Sequence, residues 1–121
     1  MNIKINIDSI NLNNLQTRDA VLIALSSYAI SKSWAKQGFG QALIQRENEF
    51  PTGLQTKSIG VAIPHADPEW VIENAVIFGF LEKKVPFNLM DNYKNKVDVK
   101  LVILLSLPSE ENHMHLLSSL V

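Results

Sequence analysis

The sequence predicts an α/β domain in which a mixed β-sheet is covered by helices on both faces. Apolar residues recur at helical spacing over residues 18–33, as expected for an amphipathic helix. Three later segments, 60–63, 75–81 and 97–107, contain the continuous apolar runs that are typical of buried strands. The order helix, helix, strand, strand, strand, helix favours a layered sheet and helices.

The N-terminal segment begins with alternating apolar and polar residues over 2–7, which predicts a short strand. A polar loop is expected over 11–16. Thr17 is the expected N-cap of the first helix, and Asp19 places a negative charge in the first turn, where it suits the helix dipole.

Gly38-Phe39-Gly40 interrupts the helical pattern and predicts a turn between two helices. The second helix is expected from Gln41 to Glu49. Arg46 and Glu47 lie near its end, and by default such a pair is a solvated surface with little energetic weight.

Residues 50–54, Phe-Pro-Thr-Gly-Leu, predict a turn, because proline fixes one backbone dihedral and glycine permits unusual ones. The Thr52 hydroxyl and the Gly53 N–H suit an anionic guest. From these residues alone, a plain connecting turn explains the pattern equally well.

The stretch from Gly60 to Asp67 predicts a buried strand that runs into Pro64, with His65 directly after it. Because Pro64 has no N–H, we expect strand pairing to fail there and the chain to leave the sheet. His65 would then lie at a strand end, where open α/β folds place their ligands.

The C-terminal half predicts a helical turn opening at Asp67-Pro68-Glu69 and strands over 75–81 and 97–107. A shorter edge strand is expected over 85–89. Ser109 is a candidate cap for a last helix, and the sequence stops at Val121 within that helix's apolar pattern. We therefore expect residues 1–121 to form one domain that continues with more helix.

Composition excludes several classes of protein. The net charge of −1 and the absence of a basic block argue against a nucleic-acid partner. No apolar run has membrane-spanning length and no signal peptide is visible, which predicts a cytoplasmic protein that is not inserted in a membrane. The absence of cysteine rules out disulfides, thiolate metal sites and a cysteine nucleophile.

The three histidines are the candidate reactive residues. His113 and His115 are two apart and cannot share a helix face, and their spacing from His65 and Asp67 does not favour a metal site. No Gly-x-Ser-x-Gly elbow supports a serine hydrolase. The remaining possibility is a histidine that acts as the nucleophile itself and accepts a phosphoryl group. Arg46, Thr52 and Gly53 are of the types that balance the charge of a bound phosphoryl group, and one of the later histidines is a further candidate for this role.

Two stretches together resemble the IIA components of the sugar phosphotransferase system. They are residues 42–54, which contain Arg46-Glu47 and Thr52-Gly53, and residues 60–65, which end in Ile63-Pro64-His65. The chain is most similar to the fructose/mannitol class, and within it to the galactitol-specific type. The resemblance extends from the Thr17 helix to the last helix.

The resemblance implies a fold, a reaction and partners. His65 would accept a phosphoryl group from the carrier protein HPr and pass it to a cysteine of a cognate IIB protein, during sugar uptake through a membrane IIC component. His113 and Arg46 would lie beside His65, and no cofactor or metal is needed. The sugar would be chosen by the membrane partner.

Two alternatives stay open from the sequence. One is a regulatory module of the same fold, whose phosphorylation state controls a partner protein. The other is a relative without activity, because the Asp67 carboxylate favours a protonated histidine and repels phosphate unless it turns away.

Overall fold

A computed structural model describes residues 4–107. Five strands form one mixed sheet in the order β1-β4-β5-β3-β2. The strands are β1 Asn6–Leu12, β2 Gly53–Gln55, β3 Gly60–Ala62, β4 Ala75–Asn88 and β5 Lys96–Ser106. β1 pairs with β4 and β3 with β5 in parallel, whereas β4 with β5 and β2 with β3 are antiparallel. The predicted α/β class with a mixed sheet is confirmed.

Two α-helices, α1 Arg18–Ser31 and α2 Phe39–Glu49, pack against each other, and α1 packs against β4. The predicted N-cap is confirmed, because the Thr17 hydroxyl accepts a hydrogen bond of 3.1 Å from the Ala20 N–H. α2 begins two residues earlier than expected, after Gly38, whose φ of +94° favours glycine.

The hydrophobic core lies between these helices and the sheet. Val21, Leu22 and Leu25 of α1 are fully buried, and so are Ile77 on β4 and Leu104 on β5. Phe39 of α2 is fully buried in the same cluster, so both described helices contribute to one core. The predicted last helix, with His113 and His115, lies outside the described residues. Within residues 4–107 no helix combines the length and the apolar character needed to cross a membrane.

Three strand predictions are wrong in their bounds. β1 begins later than predicted and takes in Asn11 and Leu12, which were expected in a loop. The strand expected over 85–89 is not a separate strand but the second half of β4, which pairs with β5 beyond the point where the pairing of β1 with β4 ends at Leu81. β2 was expected to be a turn. The continuity of β4 was missed because Glu82, Lys83 and Lys84 interrupt its apolar pattern. These residues are exposed at the shift in register after which β4 continues.

Candidate functional site

His65 lies beside the central strand β5, and its backbone is held on both sides. The Leu105 N–H donates to the Pro64 carbonyl at 2.9 Å, and the Ala66 N–H donates to the Leu105 carbonyl at 3.0 Å. The expectation that the chain leaves the sheet at Pro64 is therefore wrong. Proline removes one donor from the ladder, but its carbonyl still accepts, so pairing resumes after the regular strand ends at Ala62.

Arg46 comes to the same place from the last turn of α2. Its Nη1 lies 2.5 Å from Oδ1 of Asp67, and its guanidinium carbon lies 5.8 Å from the centre of the Phe50 ring. The default interpretation of Arg46 and Glu47 as a solvated surface pair does not hold for either residue. Arg46 is partly buried against Asp67, and Glu47 is directed into the protein.

His65 and Arg46 line one cleft of about 470 Å³. Thr52 lies in the same cleft, with Phe50, Pro51 and Met90 completing its wall. Three of the predicted site residues, which are distant in sequence, are thus brought together by α2, β3 and the segment between them. A cationic side chain beside a histidine can stabilise a phosphoryl group on an imidazole nitrogen.

Glu47 was not predicted as part of the site, and it is 2% exposed. Its carboxylate accepts hydrogen bonds from the Thr52 N–H at 2.7 Å and from the Thr52 hydroxyl at 2.9 Å. Its spacing could have revealed it, because Glu47 follows the buried Leu43 by four residues and so shares its helix face.

Burial raises the pKa of the Glu47 carboxyl above its ordinary value of 4.5. The two Thr52 hydrogen bonds and the positive charge of Arg18 act in the opposite direction and lower the pKa in part. Glu47 is therefore a buried acid whose charge depends on Thr52 for compensation.

Thr52 connects Glu47 to the segment that leads from β3 to His65. The Ile63 N–H donates to the Thr52 hydroxyl oxygen at 3.2 Å and to the Thr52 carbonyl at 3.3 Å. The N–H and the hydroxyl of Thr52 both donate to the Glu47 carboxylate. The predicted phosphate-binding role of Thr52 thus stays a prediction, and the contacts seen here brace the end of α2 against the chain two residues before His65.

Gly53 lies in β2 next to the cleft and is buried. Its carbonyl accepts from the Met90 N–H at 2.8 Å, and a β-carbon added to it would approach the Asn88 carbonyl oxygen to 2.6 Å. A glycine is required at position 53 because β2 and the end of β4 approach each other closely there. The predicted binding of phosphate by its N–H stays a prediction.

A second cleft of about 530 Å³ adjoins the first, and Arg46 and Phe50 belong to both. Its lining includes Asp67, Glu69 and Trp70. Asp67 was expected to repel phosphate unless turned away, and its carboxylate is bonded to Arg46. Within residues 4–107 no group of three or more His, Cys, Asp or Glu side chains is arranged to hold a metal ion.

A family model described as the phosphoenolpyruvate-dependent sugar phosphotransferase system (PTS), EIIA 2, matches residues 4–121. The chain belongs to this family. The resemblance inferred from the Arg46-Glu47, Thr52-Gly53 and Pro64-His65 motifs is thereby confirmed, and the match includes every predicted site residue of this EIIA 2 chain.

The chain is also similar to individual phosphotransferase-system proteins. The chain is 33% identical over 103 residues to the PTS system galactitol-specific EIIA component of Escherichia coli (strain K12), covering 85% of this chain and 68% of that component. The fold is similar to the crystal structure of IIA mannitol from Escherichia coli, with a TM-score of 0.72, 21% identity, and coverage of 93% and 76% of the two chains.

A second solved structure, the complex of enzyme IIA mannitol with phosphorylated enzyme IIB mannitol from Escherichia coli, matches with a TM-score of 0.71 and 20% identity. The match covers 93% of this chain and 74% of that chain. The chain spans 64% of the length of a Streptococcus mutans chain of the same fold. At such identities the likeness of the solved structures to this EIIA 2 protein is one of fold.

Proposed function

We propose that this chain is a phosphohistidine carrier of the phosphotransferase system, in which His65 accepts a phosphoryl group from HPr and donates it to a cysteine of a IIB protein. The observation that carries the proposal is the cleft shared by His65 and Arg46 in a member of the EIIA 2 family. The solved complex of a mannitol IIA with phosphorylated IIB supports a IIB partner for a chain of this fold.

In the proposed reaction a neutral ring nitrogen of His65 attacks the phosphorus atom in line. The new N–P bond forms as the N–P bond on the HPr histidine breaks, and the bonding electron pair returns to the donor imidazole. The next transfer forms an S–P bond on a IIB cysteine thiolate and returns an electron pair to His65. No metal or cofactor takes part.

Arg46 is proposed to bind the phosphoryl oxygens, because guanidinium N–H groups form strong charge-assisted bonds with phosphate. Its position in the His65 cleft supports this role. Thr52 and Gly53, at and beside the cleft, are proposed to bind the phosphoryl group when it is present. His113 is proposed to complete the charge balance as the sequence resemblance implies.

The test is phosphorylation of the purified chain with phosphoenolpyruvate, Enzyme I and HPr, followed by intact-mass spectrometry. We expect one acid-labile phosphoryl group on the wild type, none on His65→Ala, and one on the matched control His115→Ala. Equal labelling of His65→Ala and the wild type would overturn the assignment of His65.

The physiological role is proposed to be uptake of a galactitol-like polyol through a cytoplasmic relay that ends at a membrane IIC component. Support comes from the galactitol-specific relative, to which the chain is 33% identical. Loss of growth on galactitol after deletion, restored by the wild type but not by His65→Ala, is the expected result. Normal growth without the chain, with no transfer to a IIB cysteine, would favour a regulatory module.

A further inference from the structure

Arg46 occupies the boundary between two neighbouring clefts. It lines the cleft that contains His65 and also the cleft that contains Asp67. Its guanidinium is held between the Asp67 carboxylate, at 2.5 Å, and the Phe50 ring, while its side chain remains 22% exposed. The Arg46 side chain therefore borders both the His65 cleft and the Asp67 cleft.

Asp67 presents its carboxylate from a constrained segment of chain. Pro68 restricts the preceding residue to extended backbone, and Asp67 has φ −72° and ψ 140°. Before it, Ala66 is bonded to Leu105 of β5, and after it the Trp70 N–H donates to the Asp67 carbonyl at 3.1 Å. The backbone that carries the carboxylate is thus held in place two residues after His65.

We infer that Asp67 is a positioning residue that holds Arg46 and thereby sets how strongly His65 retains a phosphoryl group. The inference rests on the proposed function. A guanidinium can bond to a carboxylate or to a phosphoryl group, and the latter brings about two negative charges and three acceptor oxygens. Phosphorylation of His65 draws Arg46 away from Asp67.

The exchange has a definite energetic direction. Gaining the phosphoryl group weakens the pair between Arg46 and Asp67, whereas the chain without the phosphoryl group keeps that pair in full. Asp67 therefore makes the phosphorylated chain less stable relative to the free chain. By competing for Arg46, the Asp67 carboxylate limits how tightly the phosphoryl group is held and so helps its transfer to the next protein, as a carrier requires.

The test is the equilibrium constant for transfer between phosphorylated HPr and this chain, approached from both sides and read by intact mass. The equilibrium constant is defined by the four free species, phosphorylated and unphosphorylated HPr and chain, so the affinity of their docked complex does not enter it. We expect Asp67→Asn to shift it about fivefold toward the phosphorylated chain, as for a partly exposed charge pair. An unchanged constant would contradict the inference.

Glu69→Gln is the matched control. Glu69 lines the same cleft as Asp67, and its substitution removes the same charge, whereas the carboxylate at 2.5 Å from Arg46 belongs to Asp67. The equilibrium constant of Glu69→Gln is expected to equal that of the wild type. A shift as large as that of Asp67→Asn would mean that net charge alone is responsible, which overturns the role assigned to the ion pair.

A double-mutant cycle tests whether Asp67 acts through Arg46. In the background of Arg46→Gln, the substitution Asp67→Asn should change the equilibrium constant little, because the side chain that transmits its effect is gone. An undiminished effect would show that the carboxylate acts on the phosphoryl group directly and would refute the positioning role.

The failure of this inference is distinguishable from that of the proposed function. A wild type that takes no phosphoryl group on His65 would remove both. A wild type that is phosphorylated on His65, with an equilibrium constant shared by Asp67→Asn, would remove the inference alone. Thermal unfolding of each variant establishes that the compared chains are folded.

Discussion

Thr52 shows how one side chain can connect two parts of the site. Its hydroxyl donates to the Glu47 carboxylate and accepts from the Ile63 N–H, and the residue is 6% exposed. The sequence predicted that Thr52 would bind phosphate. The hydrogen bonds that Thr52 makes within the protein depend on the burial of Glu47, which was not predicted from the sequence. A hydroxyl in a turn motif does not reveal which group it will contact.

Replacing Thr52 with valine should destabilise the fold. The substitution removes one of the two Thr52 donors to the buried Glu47 carboxylate and one of the two Thr52 acceptors of the Ile63 N–H. A hydrogen bond to a charged group contributes about 1.5–3 kcal/mol. Urea denaturation should show this loss. Thr52→Ser keeps the hydroxyl and is expected to lose much less, so equal losses in both variants would argue that the methyl group matters instead.

At the scale of elements, the helices were predicted more accurately than the strands. The bounds predicted for α1 from apolar spacing and the Thr17 cap agree with Arg18–Ser31 within two residues. The segment that contains β2 was predicted to be a turn because Pro51 and Gly53 are typical turn residues, and the strand is only three residues long. Its pairing with β3 depends on residues distant in sequence, which local patterns do not contain.

The long strand β4 was divided at Glu82, Lys83 and Lys84. A charged run usually ends a buried strand, but here these residues are exposed and the strand continues after a shift in its register with β5. The Lys100 ammonium donates to the Glu82 carbonyl at 2.7 Å and contributes a hydrogen bond where the regular ladder is interrupted. Polarity alone could not distinguish an exposed strand segment from a turn.

Gly53→Ala should be more costly than Gly79→Ala. At Gly53 the added β-carbon would lie 2.6 Å from a backbone carbonyl oxygen of Asn88, which can move only with its strand. At Gly79 the nearest atom, at 2.8 Å, is the end of the Leu12 side chain, which can adjust. We expect a loss of about 1–3 kcal/mol for Gly53→Ala from overpacking. Equal stability of the two variants in urea denaturation would contradict this.

Across the whole molecule, the sequence predicted the class of fold and the residues that meet in the cleft. The apolar runs and the motifs at Arg46, Thr52 and His65 were sufficient for that. The partners of these residues were not predicted, since they depend on the way α2 and β3 approach each other. The ion pair of Arg46 with Asp67 and the burial of Glu47 are consequences of this packing.

The stability of the whole domain should depend on the protonation of Glu47. Its pKa is raised in the folded state, so the folded protein binds this proton more tightly than the unfolded chain does. The stabilisation of the folded state by the protonated Glu47 carboxyl is fully present below pH 4.5, its ordinary pKa. It is lost as pH rises through the raised pKa of the folded state. We therefore expect the wild type to lose stability relative to Glu47→Gln as pH rises from 4.5.

Urea denaturation of both proteins at a series of pH values measures this difference, and the other titrating groups cancel between them. A difference that stays constant with pH, or that grows in favour of the wild type as pH rises, would contradict the raised pKa.

The attachment of His65 to β5 bears on how partner proteins distinguish the two states of the carrier. Because Leu105 bonds to the residues before and after His65, the backbone at this surface is expected to keep its shape when a phosphoryl group arrives. In the proposed relay, donor and acceptor would then meet the same contour in both states. The charge at His65, which differs between the free and the phosphorylated state, would then decide whether the donor or the acceptor protein stays bound.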